Sequence, residues 1–156
     1  MSLYFAFGSN MHRKVMDTHA PNAKPLGVAA LAHHRFLITA DGYASIEPAR
    51  ARTVFGVLWR IDSHDRVRLD AWENVSGGLY RAVHLPVRYD DRRYVALTYI
   101  ARRRPSGRAK AGYMELVIAA ALEWRLPEAY ICCLRQYLSE RPGGATWRSL
   151  KEFGWT

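Results

Sequence analysis

Two short segments of the sequence carry residues whose types and spacing could do chemistry. The first is the apolar run 3–7, which ends at Gly8, Ser9 and Asn10 and is followed by Met11. A strand that turns into a helix at such residues exposes consecutive backbone N–H groups in front of the positive end of a helix dipole. This turn can therefore hold a carboxylate or a carbonyl oxygen, or it is simply a capped turn in which Asn10 begins a helix.

The second segment is the end of a helix predicted to run from a Ser63 cap to about Glu73. A negative charge at the C-terminal end of a helix is disfavoured by about 0.3–1 kcal/mol. Glu73, next to Trp72, is therefore a candidate for a raised pKa and for acid–base work, the alternative being a solvated surface glutamate. Asp70 lies three residues earlier on a similar face, where it either forms a dyad with Glu73 or braces the helix.

Other kinds of reactive site are not indicated. The six histidines have neither HExxH spacing nor cysteine partners, so we predict no metal site and assign them to the surface or to packing. Ser9 is not in a G-x-S-x-G setting, and no phosphate-binding P-loop is present. Cys132 and Cys133 are adjacent, which excludes a disulfide framework, and their apolar context predicts core packing in a reducing, cytoplasmic compartment.

The charge of the chain has two interpretations. The 156 residues carry a formal charge of +9, and 19 of the 23 basic residues are arginine. This balance suggests a nucleic acid, an anionic membrane or an anionic substrate as partner. The arginines are spread along the chain, however, so we interpret them mainly as background composition. Nucleic-acid binding stays as the minor alternative, based on Arg92, Arg93, Arg102, Arg103, Arg104 and Arg108.

The elements that must position these residues predict one α+β domain. The longest uninterrupted apolar run, residues 116–122, is too short to span a bilayer, and no signal peptide is visible. Five or six strands with few helices between them argue against a doubly wound sheet and favour a curled or barrel-like sheet with peripheral helices. The predicted strands are residues 3–7, 26–39, 43–46, 53–61, 81–87 and 95–99, and the predicted helices are residues 11–17, 63–73, 113–126 and one from Pro127.

Four motifs, in order, resemble those of the gamma-glutamylcyclotransferase-like proteins. They cover roughly residues 3 to 138, which is nearly the whole chain. The motifs are YFAFGSNM at residues 4–11, VFGVLW at 54–59, LDAWE at 69–73 with GLYR at 78–81, and GYMEL at 112–116 with LPEAY at 126–130.

The resemblance implies a mixed β-barrel with helices around it, and an activity that needs no cofactor and no metal. Such enzymes release 5-oxoproline from a γ-glutamyl amide and free the amine or amino acid. The family's essential glutamate falls on Glu73, and its substrate-holding residues fall on Tyr4, Phe7, Gly8, Ser9, Asn10 and Tyr113. We expect residues 1–140 to form this domain and residues 141–156 a tail, with a small γ-glutamyl molecule as partner and no prediction of oligomeric state. A non-catalytic binder of the same fold is the main alternative.

Two departures from the family pattern bear on the site. Phe7 stands where the family more often has tyrosine, so one hydroxyl is missing, and Asn74 stands where glycine is common after the glutamate. Opposite effects are also expected on the pKa of Glu73, because the positive field of the chain lowers it while burial beside Trp72 raises it.

Overall fold

The computed structural model describes residues 1–103 and 105–138, which form five strands, four α-helices and a short 3-10 helix. The 3-10 helix, Ser9–Met11, follows the first strand. The elements in chain order are β1 (Ser2–Ala6), α1 (Arg13–His19), β2 (Lys24–Ile38), β3 (Ala44–Ile61), α2 (Ser63–Trp72), β4 (Tyr80–Tyr89), β5 (Arg92–Ala101), α3 (Tyr113–Glu123) and α4 (Glu128–Arg135).

The five strands close into a barrel in the order β1-β3-β2-β4-β5. All neighbouring pairs are antiparallel except β1 and β5, which run parallel with Tyr4 opposite Leu97. Closure removes the open edges that a five-stranded sheet would otherwise present. The predicted α+β fold, a mixed barrel with peripheral helices, is confirmed.

Two local features show why the barrel closes where it does. At Gly56 of β3, an added Cβ would stand 2.3 Å from the Ala6 carbonyl oxygen and 2.8 Å from the Phe5 ring, so β1 can approach this closely only beside a glycine. The turn between β4 and β5 is made by Asp90 and Asp91, with φ of 50° and 59°. Positive φ at both central residues is the two-residue hairpin geometry that matches strand twist.

One predicted division of the β-sheet was wrong. Residues 43–46 and 53–61 were predicted as separate strands, but β3 is continuous across them. The polar stretch between them is exposed, and the strand accommodates it by bending: Ala51 has a φ of 60°, and the pairing with β2 shifts register next to His33. Pro86 lies opposite Val95 in the hairpin of β4 and β5, and β4 meets β2 at the pair Ala30–Arg88.

Two predictions about helix caps were also wrong. Asn10 does not cap α1, because the Nδ1 atom of His12 accepts the capping hydrogen bond from the Lys14 N–H at 3.3 Å. The cap of α2 is Asp62 rather than Ser63, since the Asp62 side chain accepts from the Asp65 N–H at 2.8 Å in a capping box.

Cys132 and Cys133 are both exposed, which contradicts their predicted place in the core. The helical period explains the outcome, because Ile131 and Leu134 lie three residues apart on one face of α4 and turn that face toward the core. The predicted tail, residues 141–156, and the boundary at residue 140 lie outside the described residues. No helix in the described part of the chain is long and apolar enough to cross a membrane.

Candidate active site

A cavity of about 220 Å³ lies where six segments of the chain meet. These segments are β1 with the turn after it, the start of β3, the end of α2, the start of β4, the part of β5 that carries Tyr99, and the first residue of α3. The residues that line the cavity are Tyr4, Phe7, Gly8, Ser9, Asn10, Tyr43, Ala44, Trp72, Glu73, Leu79, Tyr80, Tyr99 and Tyr113.

One wall of the cavity is the turn after β1, and a chain of hydrogen bonds holds it. The Asn10 Nδ2 group donates to the Tyr4 hydroxyl oxygen at 2.9 Å, and the Asn10 Oδ1 atom lies 3.1 Å from the His19 Nδ1 atom. Because an amide oxygen can only accept, Nδ1 of His19 carries the proton in this contact. The Tyr4 oxygen accepts here and so keeps its own O–H proton for the cavity.

His19 connects this turn to the end of α2, which carries Trp72 and Glu73. Its ring is buried and stacks on the Trp72 ring, with centroids 3.8 Å apart. The end of α1 is also attached to α2, because the Arg68 guanidinium donates to the Thr18 carbonyl oxygen at 2.9 Å. The segment that holds Asn10 is thereby fixed relative to the residue that precedes Glu73.

Two tyrosines are fixed by a single peptide unit at the start of β3. The Ala44 N–H donates to the Tyr113 hydroxyl oxygen at 3.2 Å, and the Tyr80 hydroxyl donates to the Ala44 carbonyl oxygen at 2.9 Å. Tyr113 also packs against the turn, since a Cβ added at Gly8 would stand 2.7 Å from its hydroxyl oxygen. Glycine is required at this position because no side chain fits between the turn and Tyr113.

These buried phenols stay protonated at any physiological pH. Burial raises the pKa of Tyr4 well above its usual range, and the nearby Glu73 carboxylate raises it further. Burial is likewise the main cause that raises the pKa of Tyr80 and of Tyr113, again with a smaller contribution from Glu73. The cavity wall therefore consists of neutral hydroxyl groups rather than of phenolates.

Glu73 lies on a second wall of the cavity, at the C-terminal cap of α2. Its N–H donates to the Leu69 carbonyl oxygen at 2.9 Å, which keeps the residue attached to the last helical turn. The chain then reverses at Asn74, whose φ of 50° is the left-handed conformation that glycine and asparagine adopt most easily. This geometry explains why asparagine can stand where the family often has glycine.

The Glu73 carboxylate has an unusual environment for an acidic group. Among the described residues, no hydrogen-bond donor and no cation pairs with it, so nothing compensates for the water it loses. Burial in the cavity raises the pKa of Glu73 to about 8, from an ordinary value of 4.5. The raised value shows that desolvation outweighs the positive field of the chain at this position.

Asp70 is not the second member of a carboxylate dyad. Its Oδ1 atom accepts from the Tyr99 hydroxyl at 2.6 Å and from the Arg66 Nε atom at 2.9 Å. Tyr99 in turn packs edge-on against Tyr4, with ring centroids 5.8 Å apart. Of the two roles left open for Asp70, the structure supports the bracing one, in which it fixes Tyr99 behind the cavity.

All seven residues chosen from the sequence line this one cavity. Phe7 is buried at the cavity, so this position supplies no hydroxyl where the family more often has a tyrosine. The sequence reasoning missed Tyr43, Trp72, Leu79, Tyr80 and Tyr99 as lining residues. Tyr80 and Trp72 stood inside the quoted motifs and could have been found there, whereas Tyr43 and Tyr99 carried no motif signal.

Within residues 1–103 and 105–138, no group of three or more His, Cys, Asp or Glu side chains is placed to hold a metal ion.

Comparison with known proteins gives a consistent picture. A family model described as the AIG2-like family matches residues 53–134. The chain is 25% identical over 139 residues to a gamma-glutamylcyclotransferase of Mus musculus and 24% identical to that of Homo sapiens, and each alignment covers 82% of this chain and 74% of the relative. A solved structure described as a gamma-glutamyl cyclotransferase superposes with a TM-score of 0.86 at 21% identity, over 98% of both chains, which shows a common fold.

Proposed function

This chain belongs to the AIG2-like family, and from that premise we propose that it is a γ-glutamylcyclotransferase with Glu73 as its general acid and base. The reaction is the intramolecular attack of a substrate's α-amine on its own γ-glutamyl amide carbonyl. It releases 5-oxoproline and a free amine or amino acid.

The observation that supports this proposal is the position of Glu73 in one cavity with the turn at Gly8–Asn10. A carboxylate that has no partner among the described residues, and whose pKa is about 8, is matched to proton transfer near neutral pH. It is also matched to a cation, because an ammonium group that enters the cavity supplies a compensating charge that the described residues do not.

The proton transfers balance with one carboxylate. The substrate enters with its α-amino group as an ammonium ion, which Glu73 binds in its ionised form. One proton passes to Glu73, and the freed nitrogen lone pair forms the new bond to the γ-carbonyl carbon. Glu73 gives this proton to the leaving nitrogen as the bond from the carbon to that nitrogen breaks. The attacking nitrogen then loses a second proton, which Glu73 takes and passes to the departing amine, so the products are the neutral lactam and an ammonium ion, and Glu73 returns to its ionised starting state. Such acid–base assistance typically contributes about 10²–10⁴-fold in rate.

The other wall would bind and orient the substrate. Backbone N–H groups of the turn at Gly8–Asn10, together with the Tyr4 hydroxyl, would hold the substrate carboxylate or the oxyanion that develops on the γ-carbonyl, since these residues line the cavity. The fixed tyrosines limit the space, so the γ-glutamyl chain is kept folded with its amine close to its carbonyl. This restriction supplies the proximity on which an intramolecular cyclisation depends.

The test is a product assay with a panel of γ-glutamyl dipeptides and γ-glutamyl amines. We expect the wild-type chain to form 5-oxoproline and the Glu73→Gln variant to lose at least about 10²-fold in kcat while it stays folded. The Glu128→Gln variant is the matched control, because Glu128 is exposed on α4 and does not line the cavity.

Each outcome separates the alternatives. Turnover that persists in the Glu73→Gln variant would exclude the role assigned to Glu73. Binding of a γ-glutamyl compound without any product would favour the non-catalytic alternative. Tight, salt-sensitive binding of nucleic acid, with neither turnover nor binding of γ-glutamyl compounds, would favour the minor alternative of a nucleic-acid-binding protein. Location in the cytoplasm stays a prediction, to be checked by microscopy of the tagged chain.

A further inference from the structure

Trp124 lies outside the cavity, yet its side chain is bonded to the turn that forms one of the cavity walls. The indole Nε1–H donates to the Met11 carbonyl oxygen at 2.7 Å. Met11 is fully buried and is the last residue of the 3-10 helix Ser9–Met11, and neither Met11 nor Trp124 lines the cavity. The indole therefore contacts the turn at a point that a substrate in the cavity does not reach.

The Met11 carbonyl stands at a junction between two helices. The 3-10 helix closes with the hydrogen bond from the His12 N–H to the Ser9 carbonyl oxygen at 2.9 Å. The next helix, α1, begins with the bond from the Met16 N–H to the His12 carbonyl oxygen at 3.0 Å. Between the two helices His12 is extended, with a ψ of 127°. The Met11 carbonyl is an acceptor that neither of these bonds uses, and the Trp124 indole satisfies it.

A continuous helix is the alternative conformation of this segment. If α1 began one residue earlier, the Val15 N–H would bond to the Met11 carbonyl oxygen, because α-helical bonds join residue i to residue i−4. His12 would then leave its extended conformation, and the residues of the turn would be carried along the axis of α1. The Trp124 bond opposes this change, since it satisfies the Met11 carbonyl in the conformation that is broken at His12.

The indole is itself held in place by the end of α3. The helix ends at Trp124, and the Leu126 N–H donates to the Ala121 carbonyl oxygen at 3.0 Å. Arg125 has a φ of 59°, and its N–H donates to the Leu122 carbonyl oxygen at 3.1 Å. This is a Schellman termination, in which both bonds fix the backbone on either side of the last helical residues. Trp124 therefore presents its N–H from a fixed position.

The same helix contacts the other end of the turn. Tyr113 is the first residue of α3, and its hydroxyl oxygen is 2.7 Å from the place where a Cβ of Gly8 would stand. The helix thus contacts the turn at Gly8 through its first residue and at Met11 through its C-cap. Because both contacts come from one element, α3 supports the turn as a whole.

We propose that Trp124 is a positioning residue, which keeps the chain broken at His12 and thereby directs Ser9 and Asn10 toward the substrate. The proposal rests on the proposed function only in the part that concerns the substrate, because the turn is the wall assigned to substrate binding. The conformation of residues 9–15 is a property of the free chain and is tested without any ligand.

The variant Trp124→Phe removes the N–H and keeps an aromatic ring. With γ-glutamyl-alanine as substrate, we expect KM to rise roughly threefold to tenfold, which corresponds to the loss of one hydrogen bond. The fall in kcat should be smaller than the rise in KM, because Glu73 lies on a different wall and keeps its place at the end of α2.

The matched control is Trp59→Phe, because the two indoles form one edge-on pair with ring centroids 6.0 Å apart. Trp59 is only 2% exposed, and within the part of the chain that the structure describes its Nε1 atom has no hydrogen-bond partner. This control therefore replaces a buried indole without removing a bond to the turn. We expect it to lose at least as much stability toward denaturant as Trp124→Phe, while its KM stays within about twofold of the wild-type value.

A second control separates the N–H from the other contacts of the ring. The Arg13 guanidinium lies over the Trp124 ring, 4.0 Å from its centroid, and the Arg13 Nε atom is 3.4 Å from the Glu123 carboxylate. The variant Arg13→Gln removes both contacts and leaves the indole N–H in place. Its KM should stay within about twofold of the wild-type value, since exposed charge contacts contribute little.

The conformation of the free chain is measured by NMR from the carbon chemical shift of the His12 Cα atom, which moves downfield when a residue changes from extended to helical. We expect the extended value in the wild-type chain and in the Trp59→Phe and Arg13→Gln variants. In Trp124→Phe the signal should move toward the helical value. This movement and the rise in KM are expected together.

Three results would overturn the proposal. One is a Trp124→Phe chain in which His12 stays extended. Another is a KM that does not change in that variant. The last is a KM that rises as much in Trp59→Phe as in Trp124→Phe, because the effect would then follow from lost stability.

A failure of the proposed function gives a different result. If the wild-type chain forms no 5-oxoproline, that function fails, and the affinity for γ-glutamyl-alanine from calorimetry takes the place of KM. If the compound does not bind either, the His12 signal alone decides. Its movement toward the helical value in Trp124→Phe would support the role of Trp124 in holding the turn, and an extended His12 would overturn it.

Discussion

The two walls of the cavity are built in opposite ways. The turn after β1 is buried and its polar side chains are paired, from Tyr4 through Asn10 to His19. The wall that carries Glu73 is the half-buried end of a helix, followed by a turn with left-handed residues, and its carboxylate has no partner among the described residues. The turn wall is pre-organised by hydrogen bonds, whereas the other wall presents the Glu73 carboxylate, which has no hydrogen-bond partner among the described residues.

This difference indicates that the two walls have different roles, one in positioning the ligand and the other in exchanging a proton. A wall whose groups are already paired can hold a ligand in one geometry without rearranging, but its phenols exchange no proton near neutral pH. A desolvated carboxylate can change its protonation state readily, but it needs neighbours to direct the substrate toward it. Changes on the Glu73 wall should therefore affect proton transfer, and changes on the turn wall should affect stability and substrate binding.

The largest effect concerns the pH dependence of stability. Because the folded chain raises the pKa of Glu73 from 4.5 to about 8, the native state keeps a proton that the unfolded state releases. This contribution to stability is complete below pH 4.5 and is lost as the pH rises to about 8. The Glu73→Gln variant has no carboxyl group to ionise, so its free energy of unfolding should not show this fall with pH. In the wild-type chain the fall amounts to a few kcal/mol, at about 1.36 kcal/mol per pKa unit.

Denaturant unfolding of the wild-type and Glu73→Gln chains across that pH range measures this effect. The free energies of unfolding should diverge with rising pH, with the variant the more stable at pH 8. Parallel curves for the two chains would mean that Glu73 is solvated like an ordinary surface carboxylate.

The next largest effect comes from shortening the same side chain. Glu73→Asp keeps the acid but withdraws it by one methylene, and a misplacement of about 1 Å can cost about 10²-fold in rate. We expect kcat to fall by that order with little change in KM, measured by steady-state assay of 5-oxoproline. The Glu128→Asp variant is the matched control, and an equal loss in that variant would contradict the assignment.

On the turn wall, Asn10→Ala removes both hydrogen bonds of the buried amide. The Tyr4 hydroxyl and the His19 ring each lose a partner inside the protein, at a cost of about 1–3 kcal/mol in the free energy of unfolding. KM should rise more than kcat falls, because the turn binds substrate without exchanging a proton.

Asn22→Ala is the comparison for this variant, since Asn22 is also an asparagine but is exposed and donates to the exposed Asp62 carboxylate. A stability loss in Asn10→Ala no larger than in Asn22→Ala would show that the turn wall is not pre-organised in the way described.

The smallest effect is expected at Asn74. Its φ of 50° suits glycine at least as well as asparagine, so Asn74→Gly should leave stability and kcat/KM within about twofold of the wild-type values. Asn74→Ala should cost about 1 kcal/mol in unfolding free energy, since an ordinary side chain is strained in the left-handed region. If the glycine variant were as unstable as the alanine variant, the backbone geometry of this wall would be wrong.

The sequence allowed the prediction of those parts of the site that lie within local motifs. Gly8–Asn10 and Glu73 each stand at the end of a regular element, where turn residues and a helix terminus leave a recognisable pattern. Tyr43 and Tyr99 could not be predicted, because they reach the cavity only when the barrel closes and brings distant strands together. Local patterns do not encode that convergence.

The errors in the fold have the same origin. The polar stretch inside β3 resembled a connection between strands, because the strand bends and exposes it rather than ending there. Cys132 and Cys133 were placed in the core by their apolar neighbours, although the position of α4 on the barrel decides which of its faces is buried. In both cases tertiary packing determined what the local composition could not.

The central claim is that the cavity holds Glu73 as a desolvated carboxyl group that exchanges a proton near neutral pH. Its most direct test is an NMR titration of the Glu73 side-chain carboxyl carbon in the folded chain, with the Glu73→Gln spectrum used to assign the signal. The account predicts a midpoint near pH 8. A midpoint near 4.5, the ordinary value for glutamate, would contradict it.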